Sequence, residues 1–245
     1  FRRNARRYPQ KTALVFEETR ITYEELNNRM NRLANALLNL EMRKGDKACI
    51  LLDNCPEFIE IYYGCTKIGV VAASLNSMSS EAELLSVMRD MEPSTLFVGE
   101  DYLGVVNPLR RELRTVKNFI VVGLPPKEME GYEKLLSFAS EEEPNIEIQE
   151  NDLAYIAYTS GTTGLPKGLM QSHRSMIEMA LDSIFAIENW DVSLSYSPLF
   201  WGGTHSIVLP TFYKGGTVLF MKGWDADVVL ELVQKEKVTV GFLMV

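Results

Sequence analysis

The stretch AYTSGTTGLPKGLM, from Ala157 to Met170, packs Ser160, three threonines, three glycines, a proline and a lysine into fourteen positions. That composition suits neither a helix interior nor a sheet interior. It suits an anion. Gly161, Gly164 and Gly168 permit positive φ and let a ligand approach the backbone closely. Consecutive exposed amides in such a turn form an anion nest. Thr159, Ser160, Thr162 and Thr163 add hydroxyl donors, Pro166 stiffens the turn, and Lys167 supplies a cation. No Asp or Glu occurs from Leu153 through Ile177, although the chain as a whole is acidic. A phosphate chain would meet a donor-rich, locally positive surface there. The pattern is not a Walker A loop, because Lys167 follows Pro166 and precedes Gly168. A flexible surface loop rich in turn formers is the alternative. An apolar strand feeding the turn, and a lone charge that is cationic, weigh against it.

The elements that position this turn read as alternating strands and helices. Ala13–Phe16 and Ile21–Tyr23 form a hairpin through EETR. Thr22, with Glu25 three residues on, begins a helix whose apolar face is Leu26, Met30, Leu33 and Leu37. KACILLD is a buried strand, and PEFIEIYYGCTKIG a helix opened by Pro56 and closed near Gly69. SSEAELLSVMRDM is a capped helix, STLFVGE a strand, Tyr102–Leu113 a helix and NFIVVG a strand. A Glu- and Pro-rich excursion follows, with a short helix around Tyr132–Phe138. Asp152–Tyr158 is the strand that enters the turn. Beyond it come a helix at Arg174–Ala186, a strand at Leu194–Ser197 and a helix or turn at Gly202–Tyr213. GGTVLFM then reads as a strand, DADVVLELVQKEK as a helix and VTVGFLMV as a buried strand. Such repeats predict an α/β fold, with mostly parallel sheets and helices on both faces. Ligands in these sheets sit beyond the carboxyl ends of strands, where the turn falls.

Bulk properties narrow the partners. A net charge of -8 over 245 residues argues against nucleic acid. The basic opening FRRNARRYP reads as an amphipathic helix with its arginines in solvent. No apolar run reaches the roughly 18 residues of a membrane span. Cys49, Cys55 and Cys65 lack zinc-type pairing and read as small buried hydrophobes in a reducing, cytoplasmic setting. The opening on Phe1 and the close on an apolar run suggest an excised piece of a longer enzyme.

YTSGTTGLPKG is similar to the phosphate-binding signature of the adenylate-forming superfamily, which includes acyl-CoA synthetases, beetle luciferase and peptide-synthetase adenylation domains. ITYEELNNRMNRLANAL resembles that family's early helix motif. GCTKIGVVAASLNSMSSEAEL resembles a later one, with Ser74 where proline is common. SPLFWGGTHS resembles the segment lining the acyl pocket. The resemblance covers essentially the whole chain and is closest to fatty-acid–CoA ligases. It implies an N-terminal AMP-binding domain, with residues 1–45 and 192–245 in one sheet layer and 46–191 in the other. It also implies that the C-terminal domain, the adenine and ribose contacts and the magnesium ligand lie outside these residues, so that the piece alone is inactive.

The implied reaction consumes ATP, a carboxylic acid and coenzyme A, with Mg2+ as cofactor; a homodimer is a possible assembly. Thr159, Ser160, Gly161, Thr162, Thr163, Gly164 and Lys167 would hold the β- and γ-phosphates, with Lys167 acting on the departing pyrophosphate. Phe200, Trp201, Gly202 and Gly203 would meet the acid. Amino-acid-activating relatives place an aspartate in this segment, yet Ser195–Pro210 has no acidic residue. An apolar acid is therefore expected. Trp201 stands where many relatives carry histidine, and core packing is an equal reading for it. His205 reads as a helix-facing histidine satisfied by backbone, and His173 as a capping or packing residue. Two rival readings remain: an acyl-AMP ligase that loads a carrier protein, and a silent nucleotide-binding or dimerisation module.

Overall fold

The computed structural model describes residues 1–159, 166–182 and 186–241. They form two compact units. One holds residues 1–28, 54–56 and 174 onward; the other holds 29–53 and 57–173, so the boundary passes inside a helix.

In the first unit, α1 (Arg2–Arg7) precedes the hairpin of β1 (Thr12–Phe16) and β2 (Thr19–Thr22). Glu17 takes φ 52° at the turn. The helix α2 (Tyr23–Asn39) begins at once, because Thr22 and Glu25 cap it reciprocally. Its stripe of Leu26, Met30, Leu33 and Leu37 is fully buried. The same unit later adds α7 (His173–Leu181, shared at its first residue), β10 (Val192–Ser195), α8 (His205–Lys214), β11 (Thr217–Phe220), α9 (Ala226–Glu236) and β12 (Val240–Gly241). The sheet order is β12-β10-β11-β1-β2, parallel except for the β1/β2 hairpin. The apolar run at the end of the chain thus supplies a short edge strand here. Phe242–Val245 lie outside the described residues.

The second unit carries β3 (Lys47–Leu51), α3 (Pro56–Thr66), β4 (Val71–Ser74), α4 (Glu81–Met91), β5 (Thr95–Gly99), α5 (Leu103–Leu109), β6 (Asn118–Val122), β7 (Glu130–Gly131), α6 (Tyr132–Ser137), β8 (Leu153–Thr159) and β9 (Lys167–Ser172). Ser80 and Glu83 form the capping box of α4. The order is β7-β6-β5-β3-β4-β8-β9, with only β9 antiparallel. Helices cover both faces. Ile156 packs under α4 with Leu84, Val87 and Met88, while the next side chain back, Tyr155, meets Tyr62 of α3 on the other face at 4.8 Å between centroids.

Two differences from the sequence reading concern the site. Residues 167–172 form a strand, whereas the composition there reads as loop. The short β4, VAAS, was hidden in the Gly69–Leu75 connection because its four residues are small and uniformly buried, with no alternation to mark them.

Among the described residues, a carboxylate lies in this interior. Glu60 of α3 is 1% exposed; it accepts from Arg29 Nε at 2.6 Å and from Tyr132 Oη at 2.8 Å. Arg29 also pairs with Glu133. Burial pushes the Glu60 carboxyl above its ordinary range in spite of the guanidinium beside it. The network ties α2 and α3 to α6, the helix of the acidic excursion. Arg29→Ala should strand the Glu60 charge and lower stability by about 3 kcal/mol, read from the urea midpoint. A loss below about 0.5 kcal/mol would show the pair to be dispensable.

Candidate functional site

The strand β8 ends at Thr159 and β9 begins at Lys167, and these two residues are direct register partners. β8 is parallel to β4, and β4 to β3, so Thr159 lies at the carboxyl edge of the parallel strands. The sequence therefore delivers a hydroxyl residue and a cation to the two ends of one turn, at the edge where such sheets take ligands. Lys167 is exposed. Ser160, Gly161, Thr162, Thr163 and Gly164 lie outside the described residues.

A buried hydroxyl pair sits just beneath this edge. Tyr155 and Ser74 are 0% and 3% exposed, and their hydroxyls hydrogen-bond each other. Ser74 is in register with Ala157, two residues before Thr159 along β8. A proline at position 74 could not make this bond. Burial pushes the Tyr155 phenol up to about 12, with the serine pulling it back, so the tyrosine stays protonated as one half of the pair. Sequence reading singled out Ser74 only as a departure from a pattern; its partner is 81 positions away in the chain.

The acid-free window is less uniformly positive than its composition suggests. Arg174, on α7, pairs with Glu178 at 3.0 Å, one turn along the same exposed helix face. His173 opens α7, and its amide donates to the Asp152 carbonyl at 3.0 Å. Burial lowers the His173 pKa, and Asp152 opposes that.

The expected acyl segment lies in the first unit. Pro198 O accepts from Trp201 N at 3.1 Å and from Thr204 Oγ1 at 2.8 Å, closing a tight turn ahead of α8. Phe200 is buried and Trp201 is 39% exposed, their rings edge to face at 6.0 Å. A Cβ on Gly203 would meet nothing within 4 Å. Trp201, Gly203, Thr204 and Ile207 line a cleft with Leu194 and the Ser195–Ser197 segment, and its volume is about 40 Å³. That space is about the size of one or two waters. Val208 and Leu209, further along the segment, are core residues of α8.

The residue that holds this turn was missed. Asn54 is buried, and its Nδ2 donates to Ser197 O at 3.1 Å and Met221 O at 2.9 Å, while its Oδ1 accepts from Leu199 N at 2.7 Å. In the sequence it is one asparagine before a helix-opening proline. Among the described residues no cluster of three or more His, Cys, Asp or Glu side chains could hold a metal ion, so none is assigned to magnesium. Among them, too, no helix is long and apolar enough to cross a membrane.

The family model for AMP-binding enzymes matches residues 1–244. The chain belongs to the AMP-binding enzyme family. Similar curated proteins include a 3-hydroxybenzoate/4-hydroxybenzoate–CoA ligase of Thauera aromatica, 30% identical over 95% of this chain and 46% of that protein. A feruloyl-CoA synthase of Amycolatopsis is 32% identical over 98% and 47%. The FadD13 long-chain-fatty-acid–CoA ligase of Mycobacterium tuberculosis is 30% identical over 91% and 44%. The chain thus spans about half the length of the curated relatives it matches. Among solved structures, the inhibitor-bound N-terminal domain of FACL13 from M. tuberculosis superposes with a TM-score of 0.90, at 29% identity, over 98% of this chain and 60% of that one.

Within the expected acyl segment, His205 is 1% exposed. Burial drives its pKa down to about 4, with a backbone hydrogen bond to Leu199 pulling the other way. The unfolded chain binds a proton near pH 6.5 that the folded chain refuses until about 4. Stability from this group is complete above about pH 6.5 and falls as pH drops, by about 3 kcal/mol in all at pH 4. Denaturant midpoints between pH 7 and 4.5 should therefore fall more steeply for the wild type than for His205→Gln. Equal slopes would contradict the assignment.

Proposed function

We propose that this chain works within an ATP-dependent acid:CoA ligase. A carboxylate attacks the α-phosphorus of ATP and expels pyrophosphate. The thiolate of coenzyme A then attacks the acyl-adenylate, giving the thioester and AMP. The observation that carries the reading is the pairing of Thr159 with Lys167 across the mouth of the glycine- and threonine-rich turn. Phosphoryl chemistry of this kind is mostly positioning and charge neutralisation. Thr159, Ser160, Gly161, Thr162, Thr163 and Gly164 hold the β- and γ-phosphates, and the Lys167 ammonium neutralises charge on the leaving pyrophosphate.

The acid is apolar. Ser195–Pro210 offers no carboxylate to pair an α-amine, and Phe200, Trp201, Gly202 and Gly203 present rings and bare backbone. Relatives are named for aromatic acids as well as for a long-chain fatty acid, so the class is aryl or fatty carboxylates rather than fatty acids alone. The 40 Å³ cleft is at most one wall of that site.

Losing one charged phosphate contact costs about 1.5–3 kcal/mol. In the full-length enzyme, Lys167→Ala should slow acid-dependent ATP–pyrophosphate exchange by at least about tenfold, and an unchanged rate would remove Lys167 from the mechanism. A panel of fatty, aryl and amino acids with ATP and coenzyme A should release AMP for the first two classes only. No acid-dependent AMP would defeat the ligase reading. AMP formed without need of coenzyme A would favour an acyl-AMP ligase that loads a carrier protein.

A further inference from the structure

The second register pair of the hairpin, Tyr158 with Gly168, has a feature the mechanism above does not use. A Cβ on Gly168 would stand 2.9 Å from Ile156 Cγ2 and 3.3 Å from Tyr158 Cζ. The Tyr158 ring therefore lies across the space over Gly168 that a side chain would need. Only a glycine lets the ring rest there. The far end of the ring is tethered, because Tyr158 Oη donates to Asp90 Oδ2 at 2.8 Å. Burial raises the Tyr158 pKa and the neighbouring carboxylate raises it further, so the phenol remains a donor. Asp90 belongs to α4, whose Leu84, Val87, Met88 and Met91 are set in the core together with Ile156. A packed helix thus holds a ring, the ring lies on Gly168, and Gly168 is bonded to Lys167.

We propose that Asp90, acting through Tyr158, is a positioning residue that fixes where β9 begins and hence where Lys167 stands. The proposal rests on the phosphate-binding reading of the turn. Asp90 is exposed and its carboxylate is hydrated when the bond is lost, so removing the bond displaces the ring without stranding a buried charge. The effect falls on placement rather than on folding.

The experiment uses the full-length protein with Asp90→Asn, Tyr158→Phe, Gly168→Ala and the Asp90→Asn/Gly168→Ala pair. Loss of one hydrogen bond predicts a rise in KM for ATP of about two- to tenfold in the first two variants. KM for the acid and the melting temperature should stay near wild type. Gly168→Ala acts on the same ring, so the pair should be no worse than the more impaired single variant. Amide exchange at Gly168–Met170 should quicken in Asp90→Asn. Unchanged KM for ATP with unchanged exchange, or fully additive losses in the pair, would overturn the proposal. Should the wild type itself show no acid-dependent pyrophosphate exchange, the ligase reading has failed, and amide exchange alone decides the clamp: protection in Asp90→Asn equal to wild type overturns it.

Discussion

A polyphosphate leaves water only where fixed dipoles and a cation replace its hydration, and those groups must already be in place when it arrives. In the phosphate-binding reading proposed above, the two ends of the turn between β8 and β9 are held as the end of a hairpin. β8 is flanked by its parallel neighbour β4 as far as Ala157, and Thr159 and Lys167 pair with each other at the end of the hairpin. A loop hung from one strand would have to order its cation at an entropic cost when the ligand binds. Here the first residue past the turn takes its place in a strand through its pairing with Thr159.

Within each unit, buried polar groups fix the backbone in their own surroundings. Beneath the turn the Ser74 and Tyr155 hydroxyls satisfy each other inside the sheet. In the other unit Asn54 binds three backbone groups around Ser197, Leu199 and Met221. Each is a buried polar residue whose partners are complete, which favours one arrangement over near alternatives, since leaving any of them unmade is costly. Glu60 differs. Its burial works against its charge even with Arg29 and Tyr132 in place, so it contributes specificity of docking between helices more than net stability.

Much of this was legible in the chain. The capping pairs Thr22–Glu25 and Ser80–Glu83 marked two helix starts because their geometry is local. The stripe from Leu26 to Leu37 marked a buried face for the same reason. The composition of Ala157–Met170 marked the turn. What stayed hidden depends on partners distant in sequence. The strand β9 consists of KGLMQS, whose first four residues are exposed, so no burial pattern announces it; only pairing with β8 makes it a strand. Asn54, Ser74 and Asp90 take their roles from groups at positions 197–221, 155 and 158. Trp201 is a related case: its type and place suggested a pocket wall, and it does line a small cleft with Ser195–Ser197 and Ile207, positions that no local pattern links to it.

The account stands most directly on where the Lys167 ammonium goes when nucleotide is bound. A crystal structure of the full-length protein with a non-hydrolysable ATP analogue should place Lys167 Nζ about 2.8 Å from a β- or γ-phosphate oxygen, with Thr159 at the opposite side of the same turn. Phosphates seated elsewhere, with Lys167 turned toward solvent or toward a protein carboxylate, would contradict it.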